Sequence, residues 1–200
     1  MPATATLRAR DRGPAATQRA ILAAAETLLA RGGEAGLSIR ELCACAGVTP
    51  PTVYHHFGDK GALVDRLVDE CFAEFDRTFT RRRPPADPVE ALRWGFARYV
   101  EYGLAHPAHY RLMFQRSTAR RPTAAALASY DRLRRRVAAV DAVARLTAAV
   151  EDATAAFWSA VHGVTSLLIA GFWKPGAPAV ALVCDAMIAQ LTRKEAVHVR

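Results

Sequence analysis

Long apolar runs are missing from this sequence, and so is any stretch alternating apolar and polar residues. The first absence excludes a membrane-spanning helix, which needs about 20 consecutive apolar residues. The second leaves no candidate half-buried strand. Residues 1–20 lack the apolar middle of a secretory leader, so a soluble, cytoplasmic chain with no membrane partner is expected. Cysteine is scarce. Cys43, Cys45, Cys71 and Cys184 form no disulfide framework. Cys43 and Cys45 are two apart on a helix and so point about 200° apart, too divergent to hold one metal together. All four are read as small apolar core residues, with a thiol sensor as the alternative. There is no glycine-rich phosphate loop, no paired metal motif and no serine in a strand-turn-helix elbow. No enzyme activity, cofactor or metal is therefore expected.

Acidic residues are also in deficit, since 27 Lys and Arg face 19 Asp and Glu, for a net charge of +8. That balance suits a polyanionic partner. It does not locate the contact face. Residues 1–60 hold seven basic and five acidic side chains, and the excess lies later, at Arg116, Arg120, Arg121, Arg132, Arg134, Arg135 and Arg136. The arginine run at 134–136 reads as a solvated face, with phosphates of a ligand as the alternative.

Helical periodicity fills the chain. A first helix runs from Thr17, as cap, to about Arg31, with Ile21, Leu22, Ala25, Leu28 and Leu29 inside and Gly32-Gly33 as stop. Ser38 is a helix N-cap, and Ile39, Leu42 and Ala46 follow on one face. Gly47 supplies the left-handed stop. Thr49 caps the next helix with Pro50 in its first position, and Val53, Phe57 and Tyr54 anchor it. Two short helices joined by a glycine turn make a helix-turn-helix, whose second helix enters the DNA major groove. Asp59 caps a helix from Lys60 to Arg81 with Leu63, Leu67, Cys71, Phe75 and Phe79 along it. Asp87-Pro88-Val89-Glu90 is a capping box opening a helix to Leu104. Further helices span about 106–116, 123–143, 151–171 and 178–191, the last with Val180, Val183, Met187 and Leu191 on one stripe. His106 and His109 read as a helix start rather than a metal pair. The fold class is all-α, with about nine helices. Residues 1–14 form a basic arm, open between a solvated tail and a minor-groove contact; 15–60 form the helix-turn-helix domain; 61–200 form a larger helical domain.

The run Ala46-Gly47-Val48-Thr49, then Thr52-Val53-Tyr54-His55-His56-Phe57, then Lys60 and Leu63, resembles the DNA-binding domain of the TetR family of bacterial regulators. The likeness extends upstream through Ile21, Ala25 and Leu28-Leu29 to Gly32-Gly33, about the first third of the chain. Cys43 and Cys45 replace the usual small residues, and two prolines open the recognition helix. The run Phe157-Trp158-Ser159-Ala160-Val161-His162-Gly163 is similar to the Trp–His–Gly type of TetR C-terminal domain. The resemblance implies a homodimeric repressor, built through the last two helices and released from a palindromic operator by a small molecule. It implies DNA contacts from Thr49, Thr52, Tyr54, His55, His56 and Lys60, to which Pro51 on the recognition helix and Arg40 near the start of the preceding helix are added by position. The candidate effector lining is Phe72, Phe75, Trp94, Tyr99, Met113, Phe114, Trp158 and His162. An apolar or aromatic effector fits these residues best, and the arginines leave an acyl-CoA-like anion open. Two other readings are kept: an effector-independent structural DNA-binding protein, and an enzyme using the C-terminal helical pocket.

Overall fold

The structure, a computed structural model, describes residues 13–114, 121–144 and 146–192. The basic arm, most of the loop at 117–122 and the last eight residues lie outside them. The described residues form nine α-helices and no strand: α1 (Pro14–Gly36), α2 (Ile39–Ala46), α3 (Pro50–Phe57), α4 (Lys60–Thr80), α5 (Pro88–Ala105), α6 (Pro107–Phe114), α7 (Ala124–Ala144), α8 (Val150–Ile169) and α9 (Pro178–Leu191). They divide into two compact units. One takes α1–α3, α4 as far as Cys71, and Arg111–Thr123; the other takes Phe72–Tyr110 and everything from Ala124.

In the first unit α2 packs on α1 and α3 on α2. Ile21, Ala25, Leu42, Val53, Leu63 and Val64 are buried. The turn after α2 forms as its residues dictate. Gly47 is left-handed at φ 67°, and its N–H donates to the Cys43 carbonyl. Gly58, also at positive φ, closes α3 on the Tyr54 carbonyl. Asp59 then caps α4 through its carboxylate, which accepts from Ala62 N–H at 2.7 Å.

Several local expectations are corrected. α1 begins at Pro14, because proline suits the first helical position, and Ala16 and Thr17 bond back to the Gly13 carbonyl. Thr17 is therefore a buried residue of the first turn and not a cap. Helical residues resume past a break at Gly33 (φ 61°) and continue to Gly36. Ser38 and Thr49 have the extended backbone of caps, yet neither hydroxyl makes a capping bond. Thr49 Oγ1 instead pairs with Thr52 Oγ1 at 3.0 Å. Tyr54 is exposed and does not anchor α3. Cys45 is exposed while Cys43, Cys71 and Cys184 are buried. A 200° turn from a buried Cys43 leaves Cys45 facing out, beside a hollow of about 420 Å³ lined also by Leu28, Arg31 and Glu41.

In the second unit α5, α7, α8 and α9 pack on one another. Phe96 of α5 meets Phe157 of α8 edge to face, with ring centroids 5.7 Å apart. Asp87 caps α5 by accepting from Glu90 N–H at 2.8 Å. The chain around Asp76 is tied to α7, since Asp76 accepts from Ser129 Oγ and pairs with Arg132. α5 is tied to α9 by Arg93 and Asp185. Thr147, between α7 and α8, binds the end of α9: its N–H donates to the Leu191 carbonyl and its hydroxyl to that of Gln190.

The inner stripe of α9 is Cys184, Ile188 and Leu191. Val180, Val183 and Met187 are only half-buried, so the helix is rotated from the expected stripe. Its opposite face exposes Leu182, Ala186 and Ala189. The arginine run at 134–136 is likewise not one solvated face, because Arg136 is partly buried.

Gly103 sets how closely α5 approaches α8. A Cβ there would lie 2.3 Å from Thr165 Cγ2 and 3.3 Å from Tyr110 Cδ2. Thr165 is fully buried, and its hydroxyl donates to the Val161 carbonyl at 2.7 Å. Gly103→Ala should therefore destabilise the protein by about 1–3 kcal/mol through overpacking, despite alanine's better helix propensity. Thr165→Ser removes the obstructing methyl and keeps the hydroxyl; alone it should cost roughly 1 kcal/mol. The double variant should be more stable than the sum of the two losses, which a urea-unfolding double-mutant cycle measures. Additive losses would mean that the clash is relieved elsewhere.

Candidate nucleic-acid interface and interior aromatic site

The sequence places two kinds of candidate residue in the chain, and each falls in a distinct setting. Around α3, Val53 is the fully buried pivot. Advancing 100° per residue from it, Pro51 and His55 fall opposite, Tyr54 and Thr52 at the two edges of that arc, and His56 about 60° from Val53. Exposure follows that wheel: Pro51, Tyr54 and His55 are exposed, Thr52 and His56 half-buried. Thr49 is exposed at the start of the helix, Arg40 on α2, and Lys60 is half-buried at the first residue of α4. No acidic residue occurs from Thr49 to Gly58. The outer arc thus presents hydroxyl, imidazole and phenol groups with no opposing negative charge. Such groups reach phosphate oxygens and base edges.

The second setting is an aromatic chain inside the C-terminal unit. Phe75 touches Tyr99 and Tyr102 edge to face, with centroids 5.3 and 5.1 Å away. It also meets Phe79, which in turn meets Trp94 at 6.0 Å. Tyr99 continues to Tyr110, Tyr110 stacks on His162 at 5.3 Å, and His162 leads to Trp158 and then Tyr130. Five of the eight expected lining residues, Phe75, Trp94, Tyr99, Trp158 and His162, belong to this chain. Phe72 is buried one turn before Phe75. Met113, buried, and Phe114, half-buried, fall in the other compact unit.

At the centre of the chain lies a small polar group. The Tyr110 hydroxyl is 2.6 Å from His162 Nδ1 and 3.2 Å from the His162 carbonyl. The Tyr99 hydroxyl is 3.3 Å from the same Nδ1. Burial raises the Tyr99 phenol well above its ordinary value, raises Tyr110 too, and lowers the His162 imidazole. All three shifts favour the uncharged forms. Two phenols and a neutral imidazole can exchange hydrogen bonds with a ligand without placing a charge in the core.

Arg136 of α7 lies at the other end of the chain. Its guanidinium carbon is 5.0 Å from the Phe79 ring centroid and 5.5 Å from that of Trp94. Such contacts contribute about 0.5–2 kcal/mol each. Gly95 makes room, since a Cβ there would stand 3.2 Å from Arg136 Nη1.

Sequence reasoning passes over Tyr110, Tyr102, Phe79 and Tyr130 as site residues, and raises Arg136 only within the 134–136 run, as an alternative to a solvated face. Tyr110 had a signal: it lies within the run His106-Pro107-Ala108-His109-Tyr110, whose i, i+3 pattern attracts attention to its histidines. Those histidines stack on each other at 5.4 Å, and His109 Nδ1 is 3.3 Å from the Tyr102 hydroxyl.

Comparison with known proteins agrees with this arrangement. Residues 21–67 match the family model for bacterial regulatory proteins of the tetR family, and residues 92–191 match that for the tetracyclin repressor-like C-terminal domain. The HTH-type transcriptional regulator EthR of Mycolicibacterium smegmatis is 34% identical over 96 residues, 47% of this chain and 44% of that protein. The HTH-type transcriptional repressor SCO4008 of Streptomyces coelicolor is 31% identical over 103 residues, 52% of this chain and 50% of that protein. The chain thus spans about half the length of these curated relatives. A solved structure of a Rhodococcus protein of unknown function is 26% identical, covers 92% of this chain and 99% of its own, and superposes with a TM-score of 0.73. A TetR family protein of Vibrio parahaemolyticus, 18% identical, covers 88% of this chain and 98% of its own with a TM-score of 0.69, which speaks for the fold.

The buried imidazole gives a pH dependence with a definite sign. His162 binds its proton less readily folded than unfolded, where the ordinary value is 6.5. Above pH 6.5 both states are neutral there and nothing is lost. As the pH falls below 6.5 the unfolded chain gains the proton first, so stability drops until the lowered folded value is passed. Urea midpoints measured across this interval should fall more steeply for wild type than for His162→Gln. Parallel curves would show that His162 titrates alike in both states.

Proposed function

The chain belongs to the TetR family of bacterial regulatory proteins, and from that premise we propose that it is a cytoplasmic, homodimeric transcriptional repressor released from operator DNA by a small molecule. The observation that carries this reading is the helix-turn-helix, whose second helix turns an acid-free arc of Pro51, Tyr54 and His55 outward. In this reading residues 15–60 form the DNA-binding domain, after an arm at 1–14, and 61–200 the effector and dimerisation domain. Tyr54, Lys60 and Thr49 hold phosphates, which position the protein without specifying sequence. Pro51, Thr52 and His55 meet base edges, Pro51 through apolar contact only. Arg40 and His56 flank them. The Trp158–His162–Gly163 likeness supports the Trp–His–Gly type of C-terminal domain.

The effector is a small apolar or aromatic molecule. Its lining within the C-terminal unit comprises Phe72, Phe75, Trp94, Tyr99, Trp158 and His162, and Tyr110 adds a hydroxyl. An effector releases DNA only by binding the DNA-incompetent arrangement more tightly. α4 is the lever: it begins two residues after α3, and Asp76 near its other end is tied to α7. By linkage, operator DNA weakens effector binding by the factor with which the effector weakens DNA binding. Dimerisation uses α8 and α9. Leu182, Ala186 and Ala189 recur at i, i+4 and i+7 on the exposed face of α9, and Leu167 and Phe172 are exposed nearby in sequence. A two-fold dimer implies a pseudo-palindromic operator with half-sites near one helical turn apart or a multiple of it.

Two experiments test the proposal. Operator affinity measured against salt should show Lys60→Ala weakening binding to every sequence, with the slope shallower by about one unit. An unchanged slope removes Lys60 from the phosphate contacts, and binding that depends on DNA length but not sequence favours an effector-independent structural role. Leu182→Glu places a charge on the exposed α9 face. It should leave the melting temperature of the subunit nearly unchanged and convert the dimer to monomer in sedimentation at low micromolar concentration. A variant that still sediments as a dimer locates the seam elsewhere.

A further inference from the structure

We propose that the end of α4 with α5 and α7 forms a receptor for an organic oxyanion, a small molecule bearing a carboxylate or phosphate on an apolar body, anchored by Arg136. The proposal rests on the effector reading above and names the effector's head group.

Arg136 is partly buried, and no hydrogen bond or ion pair to it occurs among the described residues. The carboxylates of α7 and the one that α4 brings to it are already engaged. Asp76 is held by Arg132 and Ser129, Asp131 by Arg134 and Arg135, and Asp141 by the Leu146 N–H. The charged group that acts on Arg136 is Arg132, which is of like sign, and burial and that repulsion both lower the Arg136 pKa. A desolvated cation without an anion is unfavourable, and only the faces of Phe79 and Trp94 offset it here.

Geometry indicates what the missing partner is. Guanidinium donors lie in one plane and form a fork that matches a planar or tetrahedral oxyanion, and none of them has a hydrogen-bond acceptor among the described residues. Gly95 keeps the approach open, since a side chain there would press on Nη1. Beyond the head group, Phe79 and Trp94 lead through Phe75 to Tyr99, an aromatic wall for the body of the ligand. The uncharged Tyr110–His162 pair on that wall matches a hydrogen-bonding group remote from the anionic end.

The test uses the full-length protein without DNA, at constant ionic strength in chloride. Phenylacetate and phenyl phosphate are titrated beside phenylacetamide, a neutral isostere of the first. Affinities are read from calorimetry and from the Arg136 Nε–Hε resonance. Wild type should bind at least one of the two anions about ten-fold or more tighter than the amide, with that resonance moving. Arg136→Gln should abolish the preference and leave amide affinity unchanged, Arg136→Lys should retain part of it, and Arg134→Gln should leave it intact. Equal binding of anions and amide by wild type, retention of the preference in Arg136→Gln, or no binding by either anion overturns the proposal. If Arg136→Gln does not fold by circular dichroism, Gly95→Ala decides: its Cβ must weaken anion binding and spare amide binding, and unchanged anion affinity overturns the assignment. Operator binding is measured separately, so failure to bind any operator counts against the regulatory reading alone.

Discussion

How closely α5 can approach α8 governs the C-terminal unit. Gly103 has no side chain where one would meet Thr165 Cγ2 at 2.3 Å, so the two helices touch backbone to side chain. That approach lets Phe96 meet Phe157 on one flank. On the other it brings Tyr99 and Tyr110 to His162, residues from three helices that share one imidazole nitrogen. Dense interiors transmit such constraints because side chains in contact have little free volume to yield into. The aromatic chain from Trp94 to Trp158 is thus positioned by a residue that contributes nothing to it but space.

Charge is distributed along that chain in a definite order. Its middle is neutral, because burial pushes the two phenols up and the imidazole down. Its α7 end carries a guanidinium placed over two rings. Asp76 pairs with Arg132, while Arg136 lies over the rings of Phe79 and Trp94. The helix-turn-helix has a different electrostatic character. Its outward arc lacks acidic groups rather than being strongly basic, and it presents hydroxyl, phenol and imidazole groups, with Arg40 on α2 and Lys60 at the start of α4.

The helix-turn-helix was legible in the sequence because its signals are local. A glycine that stops α2, a proline that starts α3 and an aspartate that caps α4 each act within one turn of themselves. The capping hydroxyls of Ser38 and Thr49 were misread, since extended backbone alone ends a helix and Thr49 found Thr52 instead. The interior aromatic residues were legible as a set from type and helical spacing, but Tyr110 was not, nor which arginine of the 134–136 run turns inward. Nothing local distinguishes Arg136 from Arg135; the difference is that Gly95 and Trp94, forty residues earlier, offer one of them a place to lie. The inner stripe of α9 was offset for the same reason. A helix apolar on nearly every side has no intrinsic inside, and here packing brings Cys184 and Ile188 inward rather than Val183 and Met187.

Thr147 has a role beyond capping. Its two bonds to the end of α9, to Gln190 43 residues on and to Leu191 next to it, close α8 and α9 into a ring that begins and ends at the same point. Inside such a ring the contacts between α8 and α9 need no other part of the chain, so only the ring itself must be immobilised to make them. The exposed stripe of Leu182, Ala186 and Ala189 is therefore assembled by a self-contained loop of chain.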